Sequence, residues 1–174
     1  MKLLFIVNEP WFFISHRLPI ALAAKEQGYS VHIATRSGEA VADIKQFGFV
    51  HHEITLSRSG NSVFEELSSL FSIWKLVRKL KPNIIHLVTI KPVLYGGIAA
   101  RFTSVSKVVA AVSGLGTLFI AKGFKADLKR NVGALLYKLA LRSSKVTVIL
   151  QNPDDQNLLL KLGAVKLEQT VLIR

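Results

Sequence analysis

Short apolar runs punctuate the chain at residues 3–7, 31–35, 50–54, 84–88, 108–112, 146–150 and 171–173. Each has the length and β-branched content of a buried strand. Between most of them lie segments of helical length, at 15–27, 39–47, 63–81, 92–101, 127–142 and 154–162. Gly28 and Gly48 follow the first two as stop signals, and Pro82 ends the third. In that third segment Val63, Leu67, Leu70, Trp74 and Val77 step by three and four, which predicts one buried stripe. On the fifth, Leu128, Val132, Leu135 and Leu139 predict another, with Arg130, Lys138 and Arg142 on a ridge beside it. Strand alternating with helix predicts an α/β fold: a Rossmann-like, parallel sheet of about seven strands covered on both faces.

No repeat, low-complexity tract or linker divides the chain, so residues 1–174 read as a single domain. Ligands of such sheets bind at the carboxyl ends of strands. That singles out the loops at 8–14, 36–38, 89–91 and 113–126. Leu172, Ile173 and Arg174 end the chain within a predicted strand, so a truncated protein is expected.

Composition narrows the chemistry. Half of the 174 residues are hydrophobic and 20% are charged, enough for a sizeable core and incompatible with disorder. No cysteine is present, which excludes disulfides, thiolate metal sites and cysteine nucleophiles. No apolar run approaches the about 20 residues of a membrane helix, and the amino terminus lacks a signal-peptide pattern, so a cytoplasmic location is expected. The net charge of +12 is unevenly placed. Residues 71–150 carry fourteen Lys and Arg against one acid, Asp127, while the rest of the chain is balanced. One face therefore suits an anion: nucleic acid, an acidic membrane or a phosphorylated substrate.

Several familiar sites are excluded. Met1 to Gln27 contains no glycine, so the first loop cannot form the G-x-G-x-x-G turn of a dinucleotide fold, and no G-x-x-x-x-G-K-[ST] loop occurs. No H-E-x-x-H or spaced acid cluster predicts a metal.

What remains is a set of basic, histidine and glycine positions near strand ends. His16 and Arg17, read as the start of the first helix, combine a helix amino terminus with side chains that grip phosphate. The aromatics Trp11, Phe12 and Phe13 suit a core, a sugar or a lipid. His86, inside an apolar strand, reads more readily as core than as ligand, and His32, His51 and His52 read as structural. Lys91 follows that strand, just before a helix opened by Pro92. Ser113, Gly114 and Gly116 form a turn whose amides can face an anion. Lys122, Lys125, Lys129 and Arg130 follow, interleaved with Phe119, Ile120 and Phe124, a pattern suited to anionic lipid or to a nucleic-acid backbone.

These segments carry a resemblance. Residues 2–7 with Ser15-His16-Arg17-Leu18-Pro19, then His86-Leu87-Val88-Thr89-Ile90-Lys91-Pro92, resemble the first lobe of family 4 glycosyltransferases. Val112-Ser113-Gly114-Leu115-Gly116, Gly123-Phe124-Lys125-Ala126 and Asn152 are similar to bacterial undecaprenyl-diphosphate-saccharide HexNAc transferases that extend diacetylbacillosamine. The resemblance implies the two-lobed GT-B fold, of which this chain is the acceptor-binding lobe and the donor-binding lobe is absent. It implies a retaining, metal-free transfer from a nucleotide-sugar to a lipid-linked saccharide in surface polysaccharide or glycan synthesis. No cofactor is expected, and nucleic acid is not an expected partner. The resemblance also implies a peripheral position on the inner face of the cytoplasmic membrane, and inactivity of the lobe alone. His16, Arg17, Lys91, Gly114 and Gly116 are then expected at the acceptor. Lys122, Lys125, Lys129 and Arg130 are expected at the anionic membrane or diphosphate. Many family members have V-H-G after the fifth strand where this chain has Ser113, so no histidine role passes to Ser113. The catalytic residues stay unassigned, with Ser113 and His16 as cleft candidates. Half of a nucleotide-sugar epimerase and a non-enzymatic polyanion-binding domain are the alternatives.

Overall fold

The computed structural model describes residues 1–56, 62–115 and 124–173, with side chains from Arg130 onward in the last of these. Seven strands form one parallel sheet: β1 (Lys2–Ile6), β2 (Ser30–Thr35), β3 (Val50–Glu53), β4 (Ile84–Val88), β5 (Lys107–Val112), β6 (Val146–Leu150) and β7 (Thr170–Leu172). The helices are α1 (Pro10–Glu26), α2 (Val41–Gln46), α3 (Val63–Leu80), α4 (Ile90–Arg101), α5 (Phe124–Leu141) and α6 (Pro153–Lys161). All the strands and helices expected from periodicity are present, and the parallel Rossmann-like architecture is as predicted.

Strand order is β3-β2-β1-β4-β5-β6-β7. The chain winds outward from β1 to β3, then returns to place β4 beside β1 and winds the other way. Two apolar layers result. Phe5, Val7, Ile33 and Val88 pack with Phe13 and Ala21 of α1 and Ile44 of α2. Leu4, Ile6, Ile85 and Leu87 face the opposite way, into a layer holding Ile73 and Val77 of α3, Val93 and Ala99 of α4 and Tyr137 of α5.

Three helical details differ from expectation. Helix α1 begins at Pro10 rather than at residue 15. Proline has no N–H to lose at the first helical position, and Phe13, fully buried against Phe5, anchors the extra turn. In α3 the buried line is Ser69, Ile73 and Val77, with Leu70 and Trp74 partly covered, while Val63 and Leu67 are exposed. In α5 the predicted stripe is turned outward: Val132, Leu135 and Leu139 are exposed, and Tyr137, Ala140 and Leu141 are buried. Close packing is the cause. A Cβ built on Gly97 of α4 would stand 2.6 Å from the Ala140 carbonyl oxygen, so α5 presents a small residue where it meets α4.

Replacing Gly97 by valine should therefore separate α4 from α5. Overpacking of this kind costs about 1–3 kcal/mol. The expected result is a lower urea midpoint with an unchanged slope, and an unaltered midpoint would show that the contact yields freely.

Candidate functional site

Between β1 and β4 the direction of winding reverses, so the two connections leave these neighbouring strands toward opposite faces. At their carboxyl ends lies a cleft of about 500 Å³. Asn8 and Glu9 enter it from the end of β1, Arg36 from β2, Thr89 and Lys91 from the β4–α4 junction, and Ser113 with Gly114 from β5.

Charge in the cleft is organised in pairs. Arg36 Nη1 lies 3.1 Å from Glu9 Oε1. Lys91 Nζ lies 2.6 Å from Glu66 Oε1, and the Tyr95 hydroxyl donates to the other oxygen of the same carboxylate. Burial, followed by the hydrogen bond to Glu66, raises the Tyr95 phenol's pKa, which keeps the proton on the tyrosine. Lys91 is also the second residue of α4, where first-turn amides have no intrahelical acceptor. The cleft thus joins an ammonium to the positive end of a helix, a combination that attracts phosphate or carboxylate.

Two features mark this loop as built for more than closure. Thr89 adopts φ 75°, ψ 161°, a region that essentially excludes non-glycine residues. Its Oγ1 and the Oδ1 of Asn8 are both buried and find no partner among the described residues. A strained β-branched residue and two buried polar atoms without a partner among the described residues thus sit at the ends of the neighbouring strands β1 and β4. Gly114 sits at φ +141°, a conformation open to glycine and strained for any side chain.

Arg17 lies elsewhere. A second cavity, about 310 Å³, is lined by Arg17, Ile20, His86, Ala111, Ile149 and Gln151. Burial lowers the guanidinium's pKa, Nη1 donates to the His16 carbonyl at 2.8 Å, and Nε is buried without a partner among the described residues. His86 packs on Phe5 at 5.1 Å between ring centroids, and its Nε2 is likewise unpartnered. Burial, helped by the Arg17 charge, lowers its pKa to about 4. His16 lines neither cavity: its ring stacks on Phe12 at 4.1 Å, with Nδ1 2.5 Å from the Ser15 hydroxyl. The placement of His16 and Arg17 at a helix start is thus corrected, because both lie in the second turn of α1. Arg17 is not brought to Lys91, Ser113 and Gly114, which do share one cleft.

Of the remaining candidates, Gly116 and Lys122 lie outside the described residues. Lys125, Lys129 and Arg130 fall on α5, of which Arg130 has a described, partly covered side chain. Trp11 is exposed, Phe13 is core and Phe12 is taken by His16. His32, His51 and His52 are tied into the sheet: His32 Nδ1 lies 3.0 Å from His52 Nε2, and His51 Nε2 lies 2.9 Å from Thr35 Oγ1. Sequence reasoning named the loops but missed Asn8, Thr89 and Glu66 as individuals. Asn8 carried a signal, a polar residue directly after the central strand. Glu66 carried none, since its link to Lys91 spans 25 positions.

Neutral His86 makes stability depend on pH. In the unfolded chain histidine takes up a proton near pH 6.5, and in the fold it does so only near pH 4. The stabilisation is complete above about pH 6.5 and is lost as pH falls through that window, roughly 3 kcal/mol in all. Urea midpoints measured from neutral pH downward should fall more steeply for the wild type than for His86→Asn. Parallel curves would remove His86 from the account.

Residues 2–152 match the family described as glycosyl transferase 4-like. Over 138 residues the chain is 29% identical to N,N'-diacetylbacillosaminyl-diphospho-undecaprenol alpha-1,3-N-acetylgalactosaminyltransferase of Campylobacter jejuni, an alignment covering 75% of this chain and 37% of that protein. Among solved structures, a glycosyltransferase from Rickettsia africae aligns with a TM-score of 0.67 at 17% identity, over 99% of this chain and 42% of that one. A UDP-GlcNAc 2-epimerase from Neisseria meningitidis aligns with a TM-score of 0.65 at 13% identity, over 99% and 46%. The chain therefore spans less than half of each of these proteins, and at such identities the two structures speak for the fold alone. With the family match running from β1 to the start of α6, through every segment that lines the cleft, this chain belongs to the glycosyl transferase 4-like family.

Proposed function

We propose that the chain is the acceptor-binding lobe of a retaining glycosyltransferase, which moves a sugar from a nucleotide-sugar onto an undecaprenyl-diphosphate-linked saccharide during surface polysaccharide or glycan synthesis. The observation that carries this reading is the cleft at the β1–β4 reversal, where Lys91 and the first turn of α4 meet Asn8 and Thr89, whose Oδ1 and Oγ1 have no partner among the described residues. Lys91 and the α4 amides serve the diphosphate, while Asn8 and Thr89 hydrogen-bond sugar hydroxyls. Ser113 and Gly114 form the wall on the donor side, and Gly116 is assigned to the acceptor from the sequence alone.

In this reading the transfer uses no cofactor and no metal of its own. The donor is held mainly by a second lobe, so the isolated lobe is inactive. His16 and Arg17, which lie outside this cleft, take no part in this reading of it. Lys122, Lys125, Lys129 and Arg130 meet the anionic inner-membrane surface on which the acceptor floats. The C. jejuni transferase, named for a diphospho-undecaprenol acceptor, supports the substrate class. An epimerase half shares the fold, but fourteen basic residues against one acid over residues 71–150 favour a lipid-linked substrate.

The test is flotation of the 174-residue chain with vesicles carrying an undecaprenyl-diphosphate saccharide, against vesicles matched in charge by phosphatidylglycerol. The saccharide vesicles should bind more tightly, and Lys91→Ala should remove about tenfold of that difference, near 1.4 kcal/mol. Equal binding to both vesicles would sink acceptor recognition by this lobe.

A further inference from the structure

Arg17 and His86 meet on the side of the sheet that α1 covers, away from the cleft at the β1–β4 reversal. His86 stands beside Phe5 in the β1–β4 register, and its ring packs on that phenylalanine. Arg17 comes from the second turn of α1 and is close enough for its charge to act on His86. Around the two, Ile20, Ala111, Ile149 and Ile173 wall the cavity of about 310 Å³, with Gln151 at the end of β6. This cavity and the Lys91 cleft share no lining residue.

A guanidinium keeps its proton throughout the accessible pH range, so its burial is costly unless an anion stands beside it. Among the described residues no carboxylate pairs with Arg17. Nη1 is taken by the His16 carbonyl, and the buried Nε has no partner among the described residues. An arginine that served only solubility would leave Nε in water. What remains is the edge of Nε and Nη2, whose parallel N–H bonds suit the two oxygens of one carboxylate. His86, 8% exposed, adds a second buried atom without a partner among the described residues, Nε2. Burial, helped by the Arg17 charge, keeps this imidazole neutral, so it can supply one N–H without adding charge.

The cavity thus combines one positive charge, two sets of donors and four apolar walls. A single charge balances a monoanion and would leave the further charge of a phosphate ester or diphosphate uncompensated. Isoleucine and alanine offer nothing to the hydroxyls of a sugar and suit a compact hydrocarbon body. We propose that this cavity is a second ligand site, in which Arg17 and His86 bind the carboxylate of a small monocarboxylic acid whose apolar body lies against Ile20, Ile149 and Ile173. The site is independent of the proposed acceptor cleft.

The probes are benzoate and isobutyrate, each set against its neutral amide and titrated into the 174-residue chain. Binding is followed by the His86 imidazole resonance, assigned by its absence in His86→Asn. Both acids should bind with a dissociation constant of about 1 mM or tighter, and neither amide should. Arg17→Gln should weaken the acids about tenfold or more, and Arg17→Lys nearly as much, because an ammonium keeps the charge and loses the fork. Lys91→Ala should bind both acids as the wild type does, whichever way the vesicle test of the acceptor cleft falls. Arg17→Gln should also hold or raise the urea midpoint, since it removes a buried cation that has no carboxylate beside it. A lower midpoint together with unchanged benzoate binding would make Arg17 a structural residue and overturn the proposal. Equal binding of acid and amide, or no response to either acid, would overturn it as well. So would tighter binding of inorganic pyrophosphate than of benzoate, which would assign the cavity to a diphosphate.

Discussion

Parallel strands can be joined only by crossovers of one hand, and a sheet that grows in two directions from its centre must therefore change the face its helices use. That change falls between β1 and β4. No connection can bridge the carboxyl ends of these two strands, so a cleft opens there whatever the loops contain. Lys91, Ser113 and Gly114 are all placed relative to that gap. Asn8 and Thr89 are set opposite each other because their strands are neighbours, and Lys91 reaches the gap because α4 starts at its rim.

The gap is also coupled to the helical layer behind it. Glu66, on the inner side of α3, holds both Lys91 and Tyr95 of α4. The cleft's ammonium is thus positioned by a helix that contributes nothing else to the cleft. The same helix turns Phe64 and Phe71 outward. One element of eighteen residues thus holds the cleft's lysine with one side and presents solvent-facing apolar surface with the other.

Strands and their parallel arrangement were legible because both faces of the sheet are buried, and burial on both faces writes an unbroken apolar run. Helix faces were harder. The stripe rule assumes that large apolar residues turn inward, which fails where two helices approach closely. At Gly97 against Ala140 the core needs small residues, and Leu135 and Leu139 are displaced to the surface. A helix with apolar residues on two faces, one for the core and one for the outside, has no single phase for periodicity to report. The start of α1 was missed because Trp11, Phe12 and Phe13 read as an irregular aromatic loop, although Pro10 directly before them is a helix-opening signal. Lys91, Ser113 and Gly114 were found because strand ends can be read along the chain. Glu66 and the separation of Arg17 into another cavity are long-range facts that no local pattern encodes.

A threonine held at φ 75°, ψ 161° costs on the order of 1–3 kcal/mol relative to a relaxed backbone, and glycine would carry the same turn without that burden. In a protein whose net stability is only about 5–15 kcal/mol, drift under selection for folding alone would drain threonine from such a position. Its hydroxyl, unpartnered among the described residues and set in the cleft, is what glycine could not provide. Position 89 is thus a point at which folding and the proposed acceptor chemistry pull apart, and at which the chain carries the residue that folding alone would reject.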